Sequence, residues 1–189
     1  MEFTIHNSPF TFHGFKIMHK GYIQVYTGNG KGKTTAALGL ALRAAGAGHK
    51  VFIAQFIKQR RCSEHKALER FSDLVTIKRY GRGFLKRSGP EQADFEAAAK
   101  GFTEVKDIIA SKQCHLVILD EINIALHYGL IHIEELLDLM EKMPLGMELV
   151  LTGRYADSRI IERADLVTEM KEIKHYSARG VKARAGIEC

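Results

Sequence analysis

A glycine-rich segment between an apolar run and a helix-like run carries the residue types that bind phosphate. It reads TGNGKGKTT and departs from the pattern G-x-x-x-x-G-K-[ST] only at Thr27, where the pattern has glycine. Glycines let successive backbone N–H groups face one concavity, and the following helix adds its positive N-terminal end. Lys33 supplies a cation and the Thr34 hydroxyl a metal ligand. The segment therefore predicts a site for a nucleoside triphosphate with a divalent cation, and a plain glycine-rich turn is the alternative.

Two acidic residues at the end of a second apolar run suit the same chemistry. Asp120 and Glu121 directly follow the apolar residues 116–119. A strand buried in a sheet carries charge only where it emerges, and a carboxylate there can hold Mg²⁺ directly or through its waters. We expect these two acids to complete the metal environment that Thr34 begins. The alternative is a strand end capped by solvated acids.

A third segment, LTGR, ends in Arg154 after another apolar run, residues 149–151. Arginine is a common partner of phosphate, so we expect Arg154 to lie at the rim of the same site and to contact phosphate or substrate. A surface arginine without a ligand is the alternative.

Alternating strand and helix patterns must position these residues. The sequence predicts strands over residues 22–26, 50–58, 74–79, 115–122, 148–152 and 166–170, helices over 36–45, 91–112, 133–142 and 158–163, and a loop or lid over 81–90. This order indicates an α/β fold with a doubly wound, mainly parallel sheet. Because ligands collect at the carboxyl ends of such strands, we expect Thr27, Gln55, Asp120 and Thr152 to converge on one crevice.

Length and composition set further bounds on the class of protein. The 189 residues, 46% hydrophobic and 26% charged, suit one domain and include no apolar run long enough to span a membrane. The first 18 residues lack the pattern of a secretory signal, which favours a cytoplasmic protein. The net charge of +6 favours polyanionic ligands. Basic clusters at residues 58–61 and 78–87 could serve nucleic acid, but such clusters are usually solvated faces, so we do not expect nucleic acid as a partner.

Several motifs together resemble the P-loop corrinoid adenosyltransferases. They are TGNGKGKTTAALGLALRAAG, AQFIK, LDEI, LTGR, ADLVTEM, KHY and GVKARAGIEC, which occur in this order over residues 21–188. The resemblance implies a P-loop NTPase-like (RecA-like) fold, with residues 1–20 as an N-terminal arm and residues 21–189 as the catalytic domain. It also accounts for Thr27, since this family shows threonine there.

The resemblance implies a reaction at carbon. A Co(I) corrinoid, either cob(I)alamin or a precursor, attacks the 5′ carbon of ATP and expels triphosphate, in adenosylcobalamin biosynthesis or salvage. The cofactors implied are ATP as co-substrate and Mg²⁺ or Mn²⁺. The site residues carried over are Gly28, Asn29, Gly30, Lys31, Gly32, Lys33, Thr34 and Thr35 of the loop, with Arg43, Asp120, Glu121 and Arg154. Among these, Lys33, Thr34 and Glu121 are the expected catalytic residues, and Asn29 faces the ribose.

The resemblance also bears on partners. Phe84 is the candidate aromatic that covers the lower face of the corrin ring, and a loop aromatic anchored in the core is the alternative reading. The family implies a homodimer in which the arm closes over a nucleotide site, as against an arm packed on its own subunit. A flavoprotein reductant would deliver the electrons that Co(I) requires. Two other functions compete: a P-loop ATPase acting on nucleic acid, and a sensor that binds ATP or a corrinoid without turnover.

Overall fold

Six parallel strands form the sheet of this protein, whose computed structural model describes residues 20–58, 61–83 and 89–188. The strands are β1 (Ile23–Thr27), β2 (Val51–Gln55), β3 (Val75–Arg79), β4 (Leu116–Asp120), β5 (Glu148–Thr152) and β6 (Leu166–Glu169). They pair in the order β3-β2-β4-β5-β1-β6, and every pairing is parallel. The predicted doubly wound parallel fold is confirmed.

Helices connect the strands and cover both faces of the sheet. They are α1 (Lys33–Gly46), α2 (Ser63–Leu68), α3 (Gln92–Ser111), α4 (Ile122–His127), α5 (Ile133–Glu141) and α6 (Ser158–Arg163), with 3-10 turns at Glu69–Phe71 and Tyr176–Arg179. Within the described ranges, none of these helices combines the length and the apolar character that crossing a bilayer requires.

The strands alternate their side chains between two apolar cores. On one face Phe52 and Leu119 pack with Phe102 of α3, and on the other Ile53 and Ile118 pack against α1. Because both faces are covered, β2 and β4 are buried at every position and read as continuous apolar runs. The two cores hold the strands in fixed register, which sets the level at which each strand ends.

The strand ends meet at one edge, as the sequence predicts. Gln55 of β2 lies opposite Asp120 of β4, and Tyr26 of β1 lies opposite Thr152 of β5. Leu119 pairs with Leu151, which brings Asp120 level with Thr152. The loop after β1 therefore begins beside the ends of β2, β4 and β5, at the crevice where parallel sheets bind ligands.

Several element boundaries differ from the prediction. Helix α1 begins at Lys33 instead of residue 36, and β2 ends at Gln55 instead of residue 58. Strand β4 stops at Asp120 because Glu121 takes a left-handed conformation, with φ of 61°, and starts the unpredicted helix α4. Helix α2 was not predicted either. Residues 1–19 of the predicted arm and residues 84–88 of the predicted lid lie outside the described residues.

Candidate active site

The phosphate loop joins β1 to α1 and needs glycine at specific positions. Gly28 and Gly32 have backbone φ angles of 92° and 118°, which residues other than glycine rarely adopt. A Cβ on Gly28 or Gly30 would lie 2.5 or 2.7 Å from the carbonyl oxygen of Met170, just after β6. The Gly30 N–H donates to that same oxygen at 2.6 Å. The end of β6 thus holds the middle of the loop in place.

Lys33 is held directly over this loop. Its Nζ donates to the carbonyl oxygens of Gly28 and Gly30, both at 2.7 Å. The residue is only 8% exposed, and burial lowers the pKa of its ammonium group. An ammonium that is poorly hydrated and held only by neutral carbonyls is well prepared to pair with an anion.

The beginning of α1 offers further donors to an anion. Gly32 occupies the N-cap position, where it presents no side-chain oxygen to the N–H groups of the first turn. No acidic residue stands in that turn. The positive end of a helix of 14 residues therefore faces the same concavity as Lys33.

Asp120 is the hub of a buried hydrogen-bond network. Its Oδ1 accepts from the hydroxyls of Thr34 at 2.8 Å and Thr152 at 2.7 Å. Its Oδ2 accepts from Gln55 Nε2 at 2.9 Å and Lys58 Nζ at 3.1 Å. Asp120, Gln55 and Thr152 are each fully buried. Four donors around one carboxylate stabilise its charge and fix its orientation.

The oxygen atoms of Thr34 and Asp120 share one cation. Lys58 Nζ lies 3.0 Å from Thr34 Oγ1 and 3.1 Å from Asp120 Oδ2, so it stands between the two residues predicted as metal ligands. Hydroxyl and carboxylate oxygens are the donors that Mg²⁺ and Mn²⁺ prefer. In the described part of the chain, no group of three or more His, Cys, Asp or Glu side chains could hold a metal ion by itself. The donor set fits a hard cation that also uses phosphate oxygens as ligands.

Glu121 stands beside this cluster in a strained backbone conformation. Its N–H donates to Thr152 Oγ1 at 3.0 Å, so the strand end that holds Asp120 also fixes the start of α4. Burial, and then the charge of Asp120, raise the pKa of the Glu121 carboxyl. The positive charges of Lys58, Lys33 and Arg154 oppose that rise.

A buried histidine contacts the network through the side chain of Gln55. His65 of α2 is 4% exposed, and its Nε2 lies 2.8 Å from Gln55 Oε1. The Cys62 N–H donates to the other ring nitrogen at 2.9 Å, so we assign the proton to Nε2. The Gln55 NH₂ group must then point at Asp120. A continuous series of hydrogen bonds therefore runs from α2 through β2 to β4. Sequence reasoning did not identify His65.

Lys31 of the loop contacts the far end of the chain. Its Nζ donates to Tyr176 Oη and Glu188 Oε1, both at 2.8 Å, and to the Ile187 carbonyl at 3.3 Å. Arg184, Lys31 and Tyr176 hold the pKa of the Glu188 carboxyl well below its usual range. We call residues 176–188 the C-terminal segment. Lys31 was predicted as a loop residue, but this contact was not.

The remaining predicted residues are placed as follows. Asn29 and Thr35 are exposed at the loop and the first turn of α1, and Arg154 is exposed just after β5. Arg43 lies in the last turn of α1, ten residues beyond Lys33 and so about 15 Å along the helix, and the structure does not bring it to the loop. Phe84 lies outside the described residues.

Several described members of the two basic clusters are paired with acids of the same chain. Arg61 pairs with Glu69 and Lys78 with Glu104, while Lys58 points inward to Asp120. Pairing of this kind leaves less free positive charge for a polyanionic partner than the sequence suggests.

Comparisons with known proteins agree with this geometry. The family model described as ATP:corrinoid adenosyltransferase BtuR/CobO/CobP matches residues 19–189. A corrinoid adenosyltransferase of Pseudomonas aeruginosa is 37% identical over 89% of this chain and 84% of its own. Those of a Sinorhizobium species and of Escherichia coli K12 are 39% and 35% identical, over 92% and 89% of this chain and 82% and 86% of theirs.

One solved structure supports the fold alone. A KaiC-like protein from Pyrococcus horikoshii OT3 superposes with a TM-score of 0.53 at 17% identity, covering 82% of this chain and 75% of that one. The family match at residues 19–189 includes every motif of the site, and each of the three relatives covers most of the chain. The chain therefore belongs to the ATP:corrinoid adenosyltransferase family BtuR/CobO/CobP.

Proposed function

We propose that this chain transfers the 5′-deoxyadenosyl group of ATP to the Co(I) centre of a corrinoid and releases triphosphate. Family membership supports the reaction and both substrates. Adenosylcobalamin biosynthesis or salvage is the process that such a product serves. Residues 21–189 act as the catalytic domain and residues 1–20 as an arm.

The observation that carries the proposal is a set of cationic groups gathered around one loop. Lys33 contacts two carbonyls of the loop, Lys58 contacts Thr34 just after it, and the first turn of α1 adds its backbone N–H groups; we place Arg154, just after β5, at the rim. The leaving group of this reaction is the whole triphosphate chain. Fixed cations and backbone N–H groups stabilise the charge that develops on it as the bond to the 5′ carbon breaks.

The acids of the site do not need to remove a proton. The nucleophile is the reduced corrinoid, so the reaction requires no general base. Asp120 suits a binding role instead, because the donors around its carboxylate fix the orientation of both oxygen atoms.

We assign Thr34, Asp120 and Glu121 to the divalent cation, which is Mg²⁺ or Mn²⁺. Bound there, it neutralises part of the triphosphate charge. The Thr34 hydroxyl and Asp120 carboxylate already converge on one cation, Lys58 Nζ, which supports the assignment. Lys33 and the loop residues Gly28, Gly30 and Gly32 hold the phosphates. The exposed Asn29 faces the ribose, and Lys31 and Thr35 line the phosphate site.

The remaining assignments follow the family resemblance. Phe84 covers the lower face of the corrin ring, and removal of the lower axial ligand there eases reduction to Co(I). A flavoprotein delivers the electrons. The enzyme acts in the cytoplasm as a homodimer, and the arm closes over a nucleotide site.

A single reaction under anaerobic conditions tests the proposal. The protein is incubated with ATP, Mg²⁺ and chemically reduced cobalamin, and the spectrum and phosphate products are recorded. We expect a cobalt–carbon adenosyl product with stoichiometric triphosphate. ADP and phosphate without an adenosylated corrinoid would contradict the proposal.

Lys33→Ala tests whether the lysine of the loop is needed for adenosyl transfer. Because it removes the cation over the loop, we expect turnover to fall by about 100-fold or more, on the order of 3 kcal/mol of transition-state stabilisation. Lys142→Ala is the control, since Lys142 forms only an exposed ion pair with Asp138 on α5. Equal loss in both variants would show that Lys33 has no particular role.

A further inference from the structure

The Asp120 carboxylate has no lone pair to spare for a metal ion. A carboxylate offers about four acceptor sites, and donors from Thr34, Thr152, Gln55 and Lys58 already occupy that number. A cation that binds Asp120 directly must therefore displace one of the four donors.

Only Lys58 is suited to leave. Gln55 and Thr152 are fully buried, and each is bonded to a second group, His65 and the Glu121 N–H respectively. Thr34 is itself assigned to the metal, so its departure would remove a ligand. Lys58 lies just after β2, its side chain is 29% exposed, and its four methylene groups make that side chain flexible.

The position of Lys58 explains why a cation is needed there before any ligand binds. The Asp120 side chain is fully buried, and a second acid, Glu121, follows it directly in the sequence. A buried carboxylate without a counter-charge is strongly unfavourable. The Lys58 ammonium supplies that charge at 3.1 Å from Asp120 Oδ2 and at 3.0 Å from Thr34 Oγ1.

We propose that Lys58 holds the place of the divalent cation in the nucleotide-free enzyme and transfers to the triphosphate when the metal–nucleotide complex binds. The inference rests on the proposed metal assignment of Thr34 and Asp120. Arrival of the metal exchanges one cation for another between the same two oxygen atoms. The displaced ammonium then pairs with phosphate oxygens at the mouth of the loop.

This exchange couples metal binding to phosphate binding. Metal alone must expel Lys58 from its hydrogen bonds to Thr34 and Asp120 without supplying a phosphate in exchange, so the affinity of the metal for the empty enzyme is reduced. Metal that binds together with a polyphosphate supplies phosphate oxygens with which the displaced Lys58 ammonium can pair. The two ligands therefore bind cooperatively, and by linkage each raises the affinity for the other by the same factor.

Lys58→Met separates this role from a structural one, because the two roles predict different changes in the affinity for Mn²⁺. Mn²⁺ alone, followed by the electron paramagnetic resonance signal of the free ion, should bind the variant about tenfold more tightly, since a competing unit charge is gone. The complex of Mn²⁺ with inorganic tripolyphosphate, followed by calorimetry, should bind it about tenfold more weakly, since one phosphate partner is gone.

A lysine that merely supports the fold would give another result. Its loss would weaken both ligands, or leave Mn²⁺ affinity unchanged, and either outcome would overturn the proposal. Lys66→Met on the exposed side of α2 is the control and should change neither affinity. Lys58→Gln, which keeps a neutral donor, should reproduce the gain in Mn²⁺ affinity if Lys58→Met does not fold. Neither probe contains adenosine or a corrinoid, so the result is independent of adenosyl transfer.

Discussion

Individual residues of the site act through complete sets of hydrogen bonds. Asp120 is oriented by Gln55, and Gln55 is oriented by His65, which lies in a different helix. Each buried polar group in this series has a partner of the right kind, so loss of one donor leaves the next group unsatisfied. The site is therefore sensitive to a residue that touches no ligand.

The protonation of His65 gives the first prediction. Burial lowers the pKa of its imidazole below the ordinary value of 6.5. The unfolded chain takes up a proton near pH 6.5, whereas the folded protein does so only at a lower pH. The stabilising effect of the neutral ring is thus present above pH 6.5 and is lost as pH falls toward the pKa of the folded state.

Urea unfolding between pH 8 and pH 5 measures this loss. His65→Gln keeps a donor toward Gln55 but cannot be protonated, so its free energy of unfolding should fall less steeply below pH 6.5 than that of the parent. At pH 8 we expect the variant to be less stable by about 1–2 kcal/mol. His132→Gln, at an exposed position before α5, should keep the parent's slope. An unchanged slope in His65→Gln would rule out this explanation.

At the scale of elements, the phosphate loop is shaped by a strand that lies far away in sequence. The end of β6 approaches Gly28 and Gly30 so closely that a side chain on either would meet the Met170 carbonyl. Gly39, in the middle of α1, is different, because a Cβ added to it would have open space within 4 Å. The two kinds of glycine should respond to alanine in opposite ways.

Gly30→Ala and Gly39→Ala test this difference. Overpacking against Met170 should make Gly30→Ala less stable by about 1–3 kcal/mol. Gly39→Ala should be more stable by about 0.5–1 kcal/mol, because alanine is the better helix former. Thermal and urea unfolding give both values. Destabilisation of the helix variant by as much as the loop variant would contradict the packing argument.

The elements predicted correctly are those with a strong local pattern. The apolar runs that became β2, β4 and β5 could be recognised because strands covered on both faces are almost continuously apolar. Helices α2 and α4 have six residues each and follow Cys62 and Glu121, neither of which is a usual N-cap residue, whereas the equally short α6 was predicted and follows the N-cap Asp157. Their positions depend on tertiary contacts that the local sequence does not display.

The same reasoning explains which site residues were found. Gln55, Asp120 and Thr152 could be predicted because parallel strands end at one edge. Lys58 appeared as one member of a basic cluster, since charge pattern alone does not show which lysine faces inward. The contact of Lys31 with Glu188 joins residues 157 positions apart, and no local signal predicts it.

At the scale of the whole molecule, the site ties together most of the sheet. Its side chains come from the ends of β2, β4 and β5, from α1, and from the loop after β1. A ligand that binds only when all of these are in place must stabilise the entire fold. The size of the effect follows from mass action.

Metal–ATP should therefore raise the melting temperature. At about 100 times its dissociation constant the complex adds about 2.7 kcal/mol, which corresponds to a shift of about 5–10 °C for a chain of this size. Lys33→Ala should lose most of the shift, because it removes a phosphate contact without disturbing either core. Differential scanning calorimetry at fixed protein concentration measures both proteins. A shift of equal size in Lys33→Ala would place the nucleotide elsewhere.

The sheet order has a consequence for synthesis of the protein on the ribosome. Strand β1 emerges first, yet both of its neighbours, β5 and β6, and the C-terminal segment that contacts Lys31 come from the last 42 residues of the chain. A nascent chain thus holds its first strand unpaired until translation is nearly finished. The loop after β1 gains its contact with the end of β6 only then, and a stalled or shortened product would lack that contact even with β2, β3 and β4 paired.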